Sequence, residues 1–441
     1  LRGISKPVQV WEVVDFVSDS QESSSWIEHE LNGFAMHMDI NKIRNYDKER
    51  VLIIADDLTG AMDAAGPFAN RGLSTWVAAL PEDCDPSRFS KATVVSVNTE
   101  SRHLSPQQAA QRIEHAFRQV GGENFSVVVK KVDSTLRGNV VAETEALMSV
   151  ARRDRALVSP AFPAQGRILR DGKVYVRGEP LESTSFARDA LSPALTVPLS
   201  EAFAGSGKRK VHSQAPGALQ DPDFLSPGIV VADAESDADL AALARAGLAH
   251  CSRLVLVGSA GLTTALASQM SQEFERVEPP AVLGRIVYVV GSRAKASRDQ
   301  AETLVADGAR LVEAVNGRLR KEPVLAPGAD VVLMAVPDKQ GKEGDAGEVA
   351  TMLARHAIRL VGPGNAQAIV ATGGDTAIAF LRASGNAALC VGGELLPGIA
   401  YARFMMGTRP VWLVTKAGGF GDAEALREIG RRLRVGAPAP V

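Results

Sequence analysis

The chain has 441 residues, 45% of them hydrophobic and 23% charged, with a formal net charge of −2. That length exceeds one ordinary core and predicts two domains, while the near-neutral balance excludes a general nucleic-acid-binding face and leaves room for a local basic pocket for an anionic metabolite. No apolar run reaches membrane-spanning length, and the scattered Cys84, Cys251 and Cys390, with seven unclustered histidines, predict reduced thiols in a cytoplasmic protein without a zinc site.

Residues 1–48 read as an appended extension. Leu1 to Val10 is mixed and polar and predicts no secretory leader. A Ser/acid stretch over Ser18–Ser25 precedes an expected helix from Trp26 to Phe34, and nothing there suggests chemistry. From Val51 strand and helix patterns alternate. Strands are expected at Val51–Ile54, Thr75–Ala79, Thr93–Val97, Ser126–Lys130, Ala156–Ser159, Gly228–Ala232 and Leu254–Val257. Helices are expected at Pro106–Val120 and Val140–Arg153. Residues 160–226 break this rhythm and read as an irregular insertion with a hairpin, with a loop over Ser206–Leu225. A second series has strands at Ile286–Val290, Arg310–Glu313, Asp330–Ala335, Ala368–Ala371, Ala388–Val391 and Val411–Val414, with an exposed loop over Asp338–Gly347. The bridge from Gln272 to Gly284 contains Pro279-Pro280 and suits a boundary. The expected fold is therefore α/β, with two domains (49–278 and 284–436). Each has a mostly parallel sheet flanked by helices.

Chemistry-bearing residues fall at strand ends, where open α/β sheets bind ligands. Val51–Ile54 runs into Asp56 and Asp57, then Thr59-Gly60 and an Ala-rich helix. Neighbouring strand residues face opposite sides, so one Asp is expected to point into a site and the other to support or cap. The structural alternative is that Asp57 or Thr59 only caps the helix. Asn98 and Arg102 follow Thr93–Val97. Lys131, Asp133, Ser134, Arg137 and Gly138 follow the strand after that, and Gln165 and Arg167 the next. Arg suits a carboxylate or phosphate, and Asp suits sugar hydroxyls or a general base.

In the second half, three Gly-containing turns follow strands: G-S-R-A-K-A-S, A-T-G-G-D-T-A and T-K-A-G-G-F-G-D. Such turns opening helices present free N–H groups to phosphate, although tight packing also selects glycine. The turns do not match G-x-x-x-x-G-K-[ST], which disfavours a P-loop NTPase. The first strand lacks G-x-G-x-x-G, which disfavours a dinucleotide dehydrogenase.

Five motifs in order, A-D-D-L-T-G-A, K-V-D-S-T-L-R-G-N, S-P-A-F-P-A-Q-G-R, G-G-D-T and K-A-G-G-F-G, resemble those of the four-carbon acid sugar kinases, and the resemblance spans Val51 to Leu433. It implies a sugar-acid-binding domain, a nucleotide-binding domain and an active site in the cleft between them. It implies ATP-dependent phosphorylation of a terminal C4 hydroxyl. By motif, Asp56, Asp57, Arg102, Lys131, Val132, Asp133 and Ser134 would hold the sugar acid. Ser292, Gly373, Gly374, Asp375, Thr376, Gly418 and Gly419 would hold ATP. Arg137 belongs to the same polar set as Asp133. Arg102 and Lys131 are the expected carboxylate anchors, and Asp57 or Asp56 the expected base. Mg²⁺ would bridge the ATP phosphates with few protein ligands, and no metal ligand is assigned. Leu58 after the paired acids, and Gly172 to Asp189, are similar to the D-threonate kinase branch. D-threonate to 4-phospho-D-threonate is thus the first expectation, with D-erythronate and 3-oxo-tetronate open. A non-catalytic sugar-acid or nucleotide sensor is the rival class. The expected partners are the sugar acid and ATP, with neither nucleic acid nor membrane; a homo-oligomer is left open.

Overall fold

Val51–Ala55 is buried at every position, which suits a short all-apolar run covered on both faces of a sheet. The computed structural model describes residues 26–31, 34–39, 49–189, 192–216, 226–270, 281–338, 344–362 and 366–435. The chain forms two compact units, Leu1–Tyr46 and Asp47–Val441. In the first, β1 (Trp26–Leu31) pairs antiparallel with β2 (Phe34–Asp39), Leu31 opposite Phe34. The expected helix over Trp26–Phe34 is thus a strand pair. The Asn32-Gly33 dipeptide between two runs of near-alternating polarity is the hairpin signal that the helical reading passed over.

In the second unit the first series is β3 (Val51–Ala55), α1 (Leu58–Asn70), β4 (Thr75–Ala78), β5 (Val94–Asn98), α2 (Pro106–Gln119), β6 (Val127–Lys131), α3 (Val140–Val150) and β7 (Arg155–Ser159). The insertion contributes a small antiparallel sheet, β8 (Arg167–Arg170), β9 (Lys173–Val176) and β10 (Glu179–Pro180), then α4 (Leu199–Ala204). Part of the loop expected over Ser206–Leu225 is instead β11 (Val211–Gln214), which pairs parallel with β12 (Gly228–Ala232); residues 217–225 lie outside the described residues. The series closes with α5 (Asp237–Ala249), β13 (Leu254–Gly258) and α6 (Ala260–Ser268). Of the expected boundary, 271–280 lies outside the described residues.

The second series is β14 (Arg285–Val290), α7 (Lys295–Ala306), β15 (Arg310–Val315), β16 (Val331–Val336), α8 (Ala346–Val361), β17 (Ala366–Thr372) and α9 (Gly374–Ser384). It ends with β18 (Ala388–Leu396), β19 (Ile399–Met406), β20 (Arg409–Lys416) and α10 (Ala425–Val435). Of the exposed loop expected over Asp338–Gly347, the end is already the first turn of α8 and 339–343 lies outside the described residues. β19 was not expected, and the strand expected over Ala388–Val391 stopped short of Gly392-Gly393. The strand instead continues through them with an irregular register between Val391 and Gly393. A Cβ on Gly392 would lie 2.2 Å from the Tyr401 ring, so glycine there admits a side chain from β19 and does not end the strand.

The α/β class and the largely parallel pairing are as expected. The two series are joined, however, into one described sheet of 15 strands, β11-β12-β7-β13-β6-β3-β5-β4-β18-β19-β20-β17-β14-β16-β15. The joint is the antiparallel pair β4–β18, Ala78 opposite Ala388 and Trp76 opposite Cys390. Helix α1 reinforces it. Its small residues allow near-complete burial, and a Cβ on Gly66 would lie 2.5 Å from Glu394 Cγ of β18. One apolar cluster includes Leu58, Met62 and Val77 together with Leu353, Leu389 and Leu413.

Candidate active site

Parallel register brings the chemistry together. Ala55 at the end of β3 lies opposite both Asn98 of β5 and Lys131 of β6. The segments after these strands therefore emerge side by side. In the other series Val290 and Lys416 both lie opposite Thr372, which aligns the three Gly turns. A cavity of about 810 Å³ is lined from both sets. Asp56, Asp57, Arg102, Asp133, Ser134 and Arg137 line it from the first series, and Ser292, Gly373, Gly374, Asp375, Thr376, Gly418 and Gly419 from the second.

Asp56 is buried, and Arg102 grips it in a fork, Nε to Oδ2 at 2.7 Å and Nη2 to Oδ1 at 3.0 Å. Burial pushes this carboxyl up, but Arg102, with Lys130 and Lys131 behind it, outweighs burial and holds it below its ordinary value. Asp57 is more open. Its Oδ1 accepts the Gly60 N–H at 2.7 Å and caps α1, and its Oδ2 lies 2.7 Å from Arg102 Nη1. Capping and cavity-facing roles thus coexist in one side chain. Asp133 is gripped by Arg137, Nε to Oδ2 at 2.7 Å, and its carboxyl lies far below the usual range because the Arg137 and Arg102 charges overcome burial.

Two expected residues do not reach the wall. Lys131, expected to anchor a carboxylate, is buried, with Nζ 3.3 Å from Asp63 Oδ1. Val132 is a buried apolar residue whose N–H donates to Gly258 O. The preceding Lys130 turns to the opposite side, where Nζ lies 2.7 Å from Glu143 Oε2. Two positive charges therefore sit beneath the acids, which they stabilise without touching the cavity. Asp63 itself is pushed up to about 7 by burial, with Lys131 opposing.

The opposite wall is built for close approach. Gly373 has φ 95°, a left-handed conformation that favours glycine, and α9 begins after it without a side-chain cap. A Cβ on Gly291 would lie 2.1 Å from Thr376 Oγ1, and one on Gly418 would lie 2.1 Å from Ser292 Oγ. The Gly418–Phe420 loop is braced from behind. Ser297 Oγ donates to Gly418 O at 2.9 Å, and Lys416 Nζ donates to Ala417 O and Phe420 O at 2.9 and 3.0 Å. Burial lowers the Lys416 ammonium to about 8. The walls nearly meet at α9, where a Cβ on Gly374 would be 3.4 Å from Asp57 Oδ2 and 3.5 Å from Thr59 Oγ1. That Thr59 hydroxyl is buried and has no hydrogen-bond partner among the described residues.

The sequence reading gave no site role to Phe186, Asp189, Asn316 or Phe420, all of which line the cavity. Phe186 and Asp189 come from the irregular insertion, which offers no strand-end signal. Arg167 was noted at a strand end, and it lines the cavity from the first position of β8.

Comparison with known proteins agrees with this layout. Residues 51–266 match the family model "Sugar-binding N-terminal domain", and 254–426 match "Nucleotide-binding C-terminal domain". A D-threonate kinase of Bordetella bronchiseptica is 32% identical over 400 residues, covering 87% of this chain and 97% of its own. A D-threonate kinase of Cupriavidus necator is 33% identical over 413 residues, covering 85% and 96%. A solved chain from Salmonella typhimurium LT2, 19% identical and covering 87% of this chain and 99% of its own, has the same fold with a TM-score of 0.70. The ordered motifs, the paired walls and these matches together place the chain in the four-carbon acid sugar kinase family.

Proposed function

We propose that this chain transfers the γ-phosphoryl group of ATP to the terminal C4 hydroxyl of a four-carbon sugar acid. D-threonate, giving 4-phospho-D-threonate, is the first choice, with D-erythronate and 3-oxo-tetronate as the alternatives. The observation that carries this reading is the approach of Asp57 Oδ2 to Gly374 at the start of α9. A hydroxyl held by the acids then faces a phosphate held by the helix end. We assign the active site to this cleft, between a sugar-acid-binding region (49–278) and a nucleotide-binding region (284–436).

Asp57 accepts the hydroxyl proton, a role worth roughly 10²- to 10⁴-fold in rate. Arg102 fixes both acids and anchors the carboxylate of the sugar acid. Asp56, Asp133, Ser134 and Arg137 bind the sugar acid, and Lys131 supports them from beneath. The Gly374, Gly418 and Gly419 backbone, with Ser292 and Thr376, suits a triphosphate that needs close approach, while Gly373, whose N–H donates to Lys416 O, shapes the turn before α9. Asp375 stands in the first turn of α9. Mg²⁺ would screen phosphate charge during transfer. No group of three or more His, Cys, Asp or Glu placed for a metal occurs among the described residues, so the ion would arrive with the nucleotide and keep several waters. Among the described residues no helix is long and apolar enough to cross a membrane, and we place the reaction in the cytoplasm.

A coupled ADP-release assay over D-threonate, D-erythronate and 3-oxo-tetronate tests the assignment. ADP release dependent on one of these acids is expected. Thermal stabilisation by acid and ATP without ADP release would instead mark a non-catalytic sensor.

A further inference from the structure

The cavity's positive groups differ in how far they are neutralised. Arg102 is paired with Asp56 and Asp57. Arg137 is paired with Asp133 and, at 3.5 Å, with Asp189. Arg293, Lys295 and Arg298 are exposed. Arg167 combines two properties that these lack: it is 4% exposed, and it forms no ion pair among the described residues. Its Nη1 donates to the Gln165 carbonyl. Its Nε has no hydrogen-bond partner among the described residues, an expensive state for a buried charged group. Burial depresses its pKa, with only the more distant Asp133 opposing.

Its position is specific. Arg167 opens β8, and its backbone is held by reciprocal bonds with Phe162. Its guanidinium lies 5.4 Å from the centre of the Phe420 ring, which follows directly on the Gly418-Gly419 turn. Gln165 Nε2 donates to Pro397 O at 3.0 Å, so the segment is also tied to the β18–β19 turn. Arg167 therefore stands where the acid-bearing wall meets the glycine loop.

We propose that Arg167 contacts the phosphoryl group in flight between nucleotide and sugar acid, a role that rests on the kinase reading above. In that step the C4 oxygen forms a bond to Pγ, and its proton passes to Asp57. The bond from Pγ to the β–γ bridging oxygen breaks, and its electron pair leaves on ADP. Negative charge is carried on the transferring group throughout, and an arginine there is worth about 10³- to 10⁵-fold in other phosphoryl-transfer enzymes. The guanidinium of Arg167, which lines the cavity with its Nε–H unpaired among the described residues, offers the donors, and the Phe420 ring lies against it beside the loop.

The test is Arg167→Met and Arg167→Lys in the full chain, read by steady-state kinetics, ADP calorimetry and melting temperature. For Arg167→Met we expect kcat to fall by at least about 10²-fold. Both KM values and the ADP Kd should stay within about threefold, the pattern of an interaction made in the transition state. Arg167→Lys, which keeps charge without the fork, should lose about 10-fold in kcat. Wild-type kcat in Arg167→Met overturns the assignment, as does a change confined to one KM. If Arg167→Met does not fold, Arg167→Lys decides alone, and a wild-type kcat there overturns it. Failure of the unaltered chain to release ADP with any of the acids would sink the kinase reading itself; turnover by that chain and by both variants would remove only Arg167.

Discussion

Asp57 Oδ2 lies 2.7 Å from Arg102 Nη1 while Asp57 Oδ1 accepts the Gly60 N–H, so one carboxylate both closes the start of α1 and faces the cavity. The two roles separate by substitution. Asp57→Asn retains an oxygen for the cap, and its melting temperature should stay near that of the parent. Its kcat should fall by at least about 10²-fold with loss of the proposed base. Asp57→Ala should show the same loss and also about 1 kcal/mol of destabilisation from the missing cap. Near-normal kcat in both variants would reassign the base.

Arg102→Ala should do more than weaken substrate binding. It leaves Asp56 buried without its partner, a change that typically costs about 3–5 kcal/mol. Denaturant unfolding should register this directly. In the protein that remains folded, KM for the sugar acid should rise roughly 10- to 100-fold, the effect of losing a charge-assisted bond of about 1.5–3 kcal/mol. KM for ATP should hardly move. An equal rise in both would place Arg102 on the phosphates.

The glycines of the second wall make a graded series. No heavy atom lies within 4 Å of a Cβ placed on Gly419, so Gly419→Val should fold normally and lose ADP binding through the side chain's intrusion alone. Gly374→Val intrudes toward Asp57 Oδ2 and should lose ADP binding and turnover together. Calorimetry with ADP on each variant checks both, and unchanged affinity in both would remove the nucleotide site from this wall.

Stability should fall as pH rises through neutrality because of two carboxyls between α1 and β18. Burial raises Glu394 from an ordinary 4.5 to about 8, with Asp63 adding to the effect; Asp63 lies at about 7. The folded form therefore holds protons that the unfolded form releases. The stability they contribute is fully present below their ordinary values and is lost as pH rises through the folded ones. Glu394→Gln, which keeps an acceptor for the Gly398 N–H, should flatten the decline in melting temperature between pH 5 and about 8. An unchanged slope would show that this carboxyl ionises freely in the folded protein.

Most of the sheet was legible in the sequence because each central strand is a short apolar run ending in a turn that carries Asp, Gly or Arg. The aligned turns then place the cavity. What could not be read is pairing. Arg102 and Lys131 look alike as anchors along the chain, yet strand alternation sends Lys131 under the site to Asp63, while Arg102 reaches the two acids and the cavity. Nor does local pattern reveal that β4 meets β18, some 300 residues later in the chain, since an edge partner is chosen by the whole sheet.

The β4–β18 ladder bears on what each half could be alone. A chain cut between the series would leave β4 and β18 as open strand edges with unpaired N–H and C=O groups, and would uncover the apolar flank of α1 that β18 now shields. Such edges recruit other strands. The two halves expressed apart are therefore poor candidates for well-behaved proteins, and the joint that shapes the cleft also protects each half from self-association.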